Sequence, residues 1–277
     1  MFTKYTSLII PTRNRNRFLF KTLNQLKKYN VKFKEILVID SSDKFDKLFK
    51  EKICNKFSVK FYRSRPSTSL QRNLGLKLRN KKNQFVMFLD DDIFFFKNSF
   101  FNMSKTVDLY ANDNRISGFG FNLIVNKKNF FLDVIKHSCL VKLINLYSNK
   151  PGVVTKSGWH TIVCNIKSDV LSEWFSTQAV IYKSKFIKNI NFNENLGIYS
   201  YLEDLDFSLK VNKKKKKILV NYSSRYKHPN DIKRHDINFG IVEIFNRLII
   251  VKSHNLSLIS FFFWIICKVF TIFIKYI

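Results

Sequence analysis

At 277 residues, with 45% hydrophobic content and 30 phenylalanines, the chain can fill the core of one large domain, or of a domain with an appended subdomain, which excludes a disordered protein. Its formal charge of +29 points to a polyanionic partner, whether nucleic acid, anionic lipid or a phosphorylated substrate, without choosing among them. The excess is mostly scattered Lys accompanied by frequent Asn, Ile and Phe, a bias that codon usage alone can produce.

Through the first hundred residues short apolar runs alternate with helical patterns, which predicts βα units and a largely parallel sheet. Residues 5–10 read as the first strand, closed by Pro11, and residues 17–29 as a helix with Phe18, Leu19, Leu23 and Leu26 at helical spacing. The second strand, "KEILVID", ends on Asp40; a helix over 45–57 and a short strand "VKFYR" follow. A third helix over 68–78 carries Leu70, Leu74 and Leu78 on one stripe, and residues 85–89 form the fourth strand. Beyond it stand Asp90, Asp91 and Asp92.

Strand pieces are expected at 116–125, followed by a Lys/Asn-rich loop, and further strands at "TIVCNI" (161–166) and "QAVIYK" (178–183). "YLEDLDFSLKV" (201–211) reads as a helix with an acidic opening, and "NKKKKK" as a solvated turn before the apolar run 218–220. Residues 236–253 are again helical. The last segment, 256–277, is almost wholly apolar except for Lys268 and Lys275, so it is expected to lie in a membrane interface, with a bilayer span or burial against the domain as alternatives. The expected division is a catalytic domain over 1–235, with a nucleotide-binding half (1–110) and an acceptor-binding half (111–235), and C-terminal helices over 236–277.

Cys54, Cys139, Cys164 and Cys267 show no paired spacing and no zinc pattern, which suits reduced thiols. No signal peptide is visible in "MFTKYTSLIIPTRNR", so the catalytic part is expected to face the cytoplasm, peripheral or anchored at the inner face of the cell membrane. Seven glycines supply neither G-x-G-x-x-G nor a P-loop, which disfavours dinucleotide redox chemistry and P-loop hydrolysis. A nucleotide's phosphates would then need Arg side chains and a divalent metal held by carboxylates.

The strand-end acids suit that role, because ligands of open α/β sheets bind beyond the carboxyl ends of the strands. In an extended segment Asp90 and Asp92 would project together while Asp91 faces away. Crowded carboxylates raise one another's pKa unless a cation neutralises them, and Mg²⁺ or Mn²⁺ would do so while bridging a diphosphate. A turn or helix cap is the plain alternative for such a triplet.

The ordered motifs "SLIIPTRNR", "ILVIDSSD", "SLQRNLGL", "FLDDD" and "YLEDLDF" resemble those of a family 2 glycosyltransferase of the GT-A type, rhamnosyltransferase-like or related, over about residues 5–250. The resemblance implies an α/β, Rossmann-like open and mostly parallel sheet flanked by helices, here with a C-terminal helical apolar tail. It implies that Pro11, Thr12, Arg13, Asp40 and Arg72 border a nucleotide-sugar, joined by Asp90 and Asp91, with Asp92 as metal ligand and His228 as a further ligand to metal or diphosphate. Asp204 would be the general base of an inverting transfer, supported by Glu203, while Asp206 is read as mainly structural, paired with Lys210. The implied cofactor is Mn²⁺ or Mg²⁺, and the implied partners are a nucleotide-sugar donor, a glycan or lipid-linked acceptor and an anionic membrane surface, with no nucleic acid. Trp159 and Trp174 flank the acceptor region, where indole rings suit sugar faces or core burial. The rival reading is a catalytically inactive, basic membrane- or nucleic-acid-binding protein on the same fold; a nucleotidyltransferase would want a Gly-rich loop that "PTRNRNR" does not supply.

Overall fold

Strand β1 (Thr6–Thr12) is buried at every position, as is β4 (Phe85–Leu89) in the computed structural model, which describes residues 1–125, 146–213, 215–229 and 237–276. Unbroken apolar runs of this kind suit strands covered on both faces. β1 pairs in parallel with β4 on one side and with β2 (Glu35–Asp40) on the other, and β2 pairs in parallel with β3 (Lys60–Arg63). The connections run through α1 (Asn16–Lys28), α2 (Lys47–Phe57) and α3 (Thr68–Leu78). Asp46 caps α2 by accepting from Phe49 N at 2.8 Å, and Ser67 caps α3 by accepting from Leu70 N at 3.3 Å.

Beyond β4 the sheet is mixed. β8 (Ala179–Lys183) lies antiparallel between β4 and β6 (Ile116–Leu123), and β6 pairs in parallel with β9 (Lys217–Lys227). The short β5 (Phe94–Phe95) and β7 (Val170–Ser172) pair antiparallel with β9, giving the order β3-β2-β1-β4-β8-β6-β9-β5 with β7 also on β9. α4 (Ser99–Tyr110) precedes β6, and α5 (Glu203–Asn212) precedes β9. The expected α/β architecture, a mixed and mostly parallel sheet flanked by helices, is therefore present.

Alternation along the strands separates two core layers. Leu8, Ile10, Val38, Met87 and Leu89 join Leu19, Leu23, Met103 and Val107 on one face. Ile9, Leu37, Ile39, Val86 and Phe88 join Leu76, Phe207 and Val211 on the other. Each such side chain contributes about 1.5–3 kcal/mol on burial. The two layers clamp the strand ends from which the functional loops emerge.

Three expectations need correction. Pro11 does not close the first strand, which continues through Thr12; Pro11 lies beyond the last β1–β4 pair, Ile9 with Phe88, so its missing N–H interrupts no ladder on that side. "TIVCNI" is not a strand. Asn165 there has φ 50°, which breaks an extended run, and the backbone is held instead by loop partners such as Trp174 Nε1 donating to Thr161 O at 2.9 Å. The run 218–220 is only the start of β9, whose outward polar residues hid its length. The Lys/Asn-rich stretch after Val125, Cys139 and Asp236 lie outside the described residues.

The chain ends in α6 (Ile237–Ser253) and α7 (Leu258–Tyr276). Val251, Phe261 and Trp264 pack with Leu146, so one face of α7 is buried against the protein. Lys268, the charge that interrupts the apolar segment, lies 3.2 Å from Glu243 of α6. Ile259, Phe262, Phe263, Ile266 and Val269 remain exposed on the other side. Among the described residues no helix is long and apolar enough to cross a membrane.

Candidate active site

The acidic triplet follows β4 in a turn, not in an extended segment, and β8 anchors it: Asp90 N donates to Gln178 O at 3.0 Å. Asp91 points back under β1. Its carboxylate accepts from Thr12 Oγ1 at 2.6 Å, and its carbonyl accepts from Thr22 Oγ1 at 2.8 Å. Burial pushes the Asp91 carboxyl up to about 7, against the pull of Arg15 and Thr12.

Asp90 and Asp92 turn the other way, toward His228 at the end of β9. Ligand atoms of these three residues lie within 4.8 Å of one another. The Asp92 Oδ1 atom is 3.2 Å from His228 Nε2, yet it is buried and accepts no aligned hydrogen bond. Burial alone would raise Asp92 and lower His228; their mutual attraction, with Arg15 adding to it on Asp92, outweighs this, so Asp92 is held below and His228 above its ordinary range. Two carboxylates and an imidazole around an unsatisfied buried oxygen form a donor set that fits a divalent cation such as Mn²⁺ or Mg²⁺.

Arg72, buried on α3, spans two acidic elements. Its Nη2 is 2.9 Å from Asp90 and its Nη1 is 2.5 Å from Glu203 at the start of α5. Glu203 and Asp204 follow Leu202, whose φ of 72° is unusual for a branched side chain and turns the chain sharply into the helix. Burial raises both carboxyls above the ordinary range, with Arg72 opposing. Asp204 accepts from Leu205 N at 2.8 Å.

Asp90, Asp91, His228, Arg72, Glu203 and Asp204 line one cavity of about 670 Å³, together with Pro11, Arg13, Trp174 and Tyr226, whereas Asp92 is buried and does not line it. Of the residues singled out from the sequence, Pro11, Thr12, Arg13, Arg72, Asp90, Asp91, Glu203, Asp204 and His228 line it. Asp40 does not: its carboxylate is held by Ser42 and Arg63, and the neighbouring Ser41 faces the cavity instead. Trp174 is a wall residue, whereas Trp159 packs toward Tyr147 and Trp264 in the α6–α7 core. Asp206 pairs with Lys210 at 2.5 Å and also meets His254, just past the end of α6, at 2.8 Å.

Sequence reasoning did not single out Arg15, Gln71 or His160. Arg15 lies 3.2 Å from Asp91 and also pairs with Asp92, so it is the cation that organises the triplet. Its position three residues after Thr12, in a basic loop facing the acids, was the available signal. Gln71 Nε2 donates to Thr12 O at 2.8 Å and Ile39 O at 2.7 Å, tying together the ends of β1 and β2. His160 stacks edge-on against Trp174 with ring centroids 4.2 Å apart, and burial beside Arg247 holds it well below its ordinary pKa, neutral in the cavity wall. Nothing local in the sequence pointed to it.

Residues 7–129 match the model of Glycosyl transferase family 2. No curated protein matches the chain. Among solved structures, TarS of S. aureus is similar with a TM-score of 0.56 at 19% identity, covering 87% of this chain and 38% of that one. GalNAc-T7 with UDP, GalNAc and Mn²⁺ is similar with a TM-score of 0.62 at 17% identity, covering 89% and 47%. The mannosyltransferase PcManGT from Pyrobaculum calidifontis, in complex with GDP-Man and Mn²⁺, has a TM-score of 0.54 at 14% identity, covering 87% and 61%. The chain thus spans between 38% and 61% of the length of these proteins, and the likeness is one of fold, the GT-A type.

Proposed function

We propose that this chain, a GT-A fold whose residues 7–129 carry the family 2 glycosyltransferase pattern, transfers a sugar from a nucleotide-diphosphate donor to a glycan or lipid-linked acceptor with inversion at the anomeric carbon. The carrying observation is the convergence of Asp90, Asp92 and His228 around the unsatisfied Asp92 Oδ1, beside the cavity that Asp90, His228 and Asp204 line. TarS with UDP-GlcNAc and PcManGT with GDP-Man support a nucleotide-sugar donor. The rhamnosyltransferase-like motif order supports a hexosyl or deoxyhexosyl group.

In this reading residues 1–110 hold the donor and 111–235 the acceptor. Pro11, Thr12, Arg13 and the backbone beside Asp40 border the nucleotide, and Asp92, His228 and Asp90 would hold the cation. A divalent cation there would stabilise the negative charge that develops on the departing nucleoside diphosphate. Asp204 takes the proton from the acceptor hydroxyl as its oxygen attacks in line with the leaving group. Its raised proton affinity suits a base, and Glu203 with Arg72 fixes the helix start that presents it. The apolar walls formed by Trp174 and Tyr226 exclude water that would otherwise hydrolyse the donor. The exposed stripe of α7 lies in plane on the inner face of a membrane, holding the cavity near a lipid-linked acceptor.

Nucleotide-sugar transfer or hydrolysis measured with and without Mn²⁺ tests this. Activity should vanish with chelator and in Asp92→Asn, a near-isosteric change whose retained fold is checked by circular dichroism; activity indifferent to both would overturn the metal role.

A further inference from the structure

Among the described residues three arginines are at least nine-tenths buried: Arg72 and Arg247 at 2% and 0% exposure, and Arg79 at 8%. Arg72 is neutralised by Asp90 and Glu203, and Arg247 by Glu243 at 2.9 Å. Arg79, at the C-terminal end of α3, is different. Among the described residues it makes no ion pair and its side chain no hydrogen bond, while its Nε, like those of Arg72 and Arg247, is buried without an acceptor. The acid whose field it feels, Glu35, is already engaged by Ser7, Lys60 and the Asn80 N–H. Arg79 therefore presents a largely buried guanidinium whose charge no acid neutralises, an arrangement that favours an anionic partner.

Arg79 lines a second cavity, of about 830 Å³, between α3 and residues 184–194. Arg65, Lys77, Lys81, Lys185 and Lys188, all exposed, surround it with the same sign, against the single acid Glu194, which accepts from Asn73 Nδ2 at 2.7 Å. None of these cations forms an ion pair among the described residues. This cavity is separate from the catalytic one, because α3 turns Thr68, Gln71 and Arg72 to the active site and Leu70, Asn73 and Lys77 to this side. No aromatic residue lines it, so it offers no stacking platform for a nucleobase. A planar guanidinium among several ammonium groups matches a multiply charged oxyanion, and phosphate fits that fork best.

We propose that the cleft behind α3 is a second, non-catalytic binding site for a phosphate-bearing ligand, with Arg79 as its central contact. The phosphate belongs either to a soluble phosphate ester or to a lipid headgroup. This reading does not depend on the transferase activity.

Two probes separate the sources: inorganic tripolyphosphate followed by calorimetry in chelator, which keeps metal-dependent binding at the catalytic site out of the signal, and co-sedimentation with phosphatidylglycerol vesicles. The full chain is compared with Arg79→Gln and with the triple variant Lys77→Gln, Lys81→Gln, Lys188→Gln, whose exposed positions leave the core intact if Arg79→Gln fails to fold. A control triple, Lys21→Gln, Lys32→Gln, Lys97→Gln, removes the same charge elsewhere. Loss of about 10-fold or more in affinity for tripolyphosphate, with less than about threefold in the control, assigns the site to soluble phosphate; each contact of this kind is charge-assisted. The same pattern with vesicles alone assigns it to headgroups. Equal loss in both triples, or binding of neither probe, overturns the proposal.

Discussion

At the scale of single residues, the site divides acids by their surroundings. Asp91 is sunk against Thr12 and kept there by Arg15, Asp92 faces His228, and Asp204 is buried at the acidic start of α5, within the field of Arg72. Side-chain type alone does not assign these roles; burial and partners do. Asp204→Asn removes the proposed base while preserving shape, so kcat should fall by about 10²–10⁴ while nucleoside diphosphate binding with Mn²⁺ is retained. Binding lost in parallel with kcat would instead make Asp204 a donor-site residue. The triplet, "PTRNR" and "YLED" were legible because each concentrates polar groups where a strand or helix changes into a loop. Arg15 and His160 were not, since their importance lies in contacts across 77 and 87 positions of sequence.

Among the elements, the parallel half was readable because β1, β2 and β4 are centred on apolar runs separated by helices with apolar stripes. The half after α4 was harder: loop residues 161–166 are as apolar as a strand, and β9 is as polar as a loop over much of its length. The join between α5 and α6 is made by Asp206, fully buried and bonded by His254 and Lys210. Burial raises its carboxyl, but those two partners prevail and hold it below its ordinary value of 3.8. A group depressed in this way contributes stability that is complete above the unfolded pKa and is lost as pH falls through the folded one. Thermal melts should therefore show an acid-side loss of stability below about pH 4 that is missing from Asp206→Asn. At neutral pH that variant should be less stable by about 3–5 kcal/mol, because it leaves the partners of a buried ion pair unmatched. An unchanged acid limb would assign the loss to other carboxylates.

For the whole molecule, the charge of +29 is unevenly used: acids collect in the catalytic cavity and cations cover much of the remaining surface. α7 adds an apolar stripe to that basic surface, and the two together suit an anionic interface. Phe262→Ser with Phe263→Ser, at positions 57% and 48% exposed, should reduce flotation with anionic vesicles by about 10-fold or more, since each deletes apolar area at about 25 cal/mol per Å², without changing the melting temperature. Flotation unaffected by the pair would remove α7 from the interface. The end of the chain looked like one apolar block because Phe261 and Trp264, turned inward, and Phe262 and Phe263, turned outward, cannot be told apart by hydropathy.

The reversed strand at the centre of the sheet, β8, also decides how the enzyme proposed here can move. β8 is registered residue by residue with β4, from Leu89 opposite Ala179 to Phe85 opposite Lys183, and its other edge continues into β6. The strands on either side of β8 therefore share one backbone ladder, and among the described residues no hinge line runs between β4 and β6. Substrates must enter and leave past the rim residues, such as Ile198 and Tyr199 at 66% and 49% exposure, over a floor that stays fixed. Small-angle scattering should accordingly give the same radius of gyration with and without a bound nucleotide and Mn²⁺; a contraction of the whole particle would mean that the ladder yields.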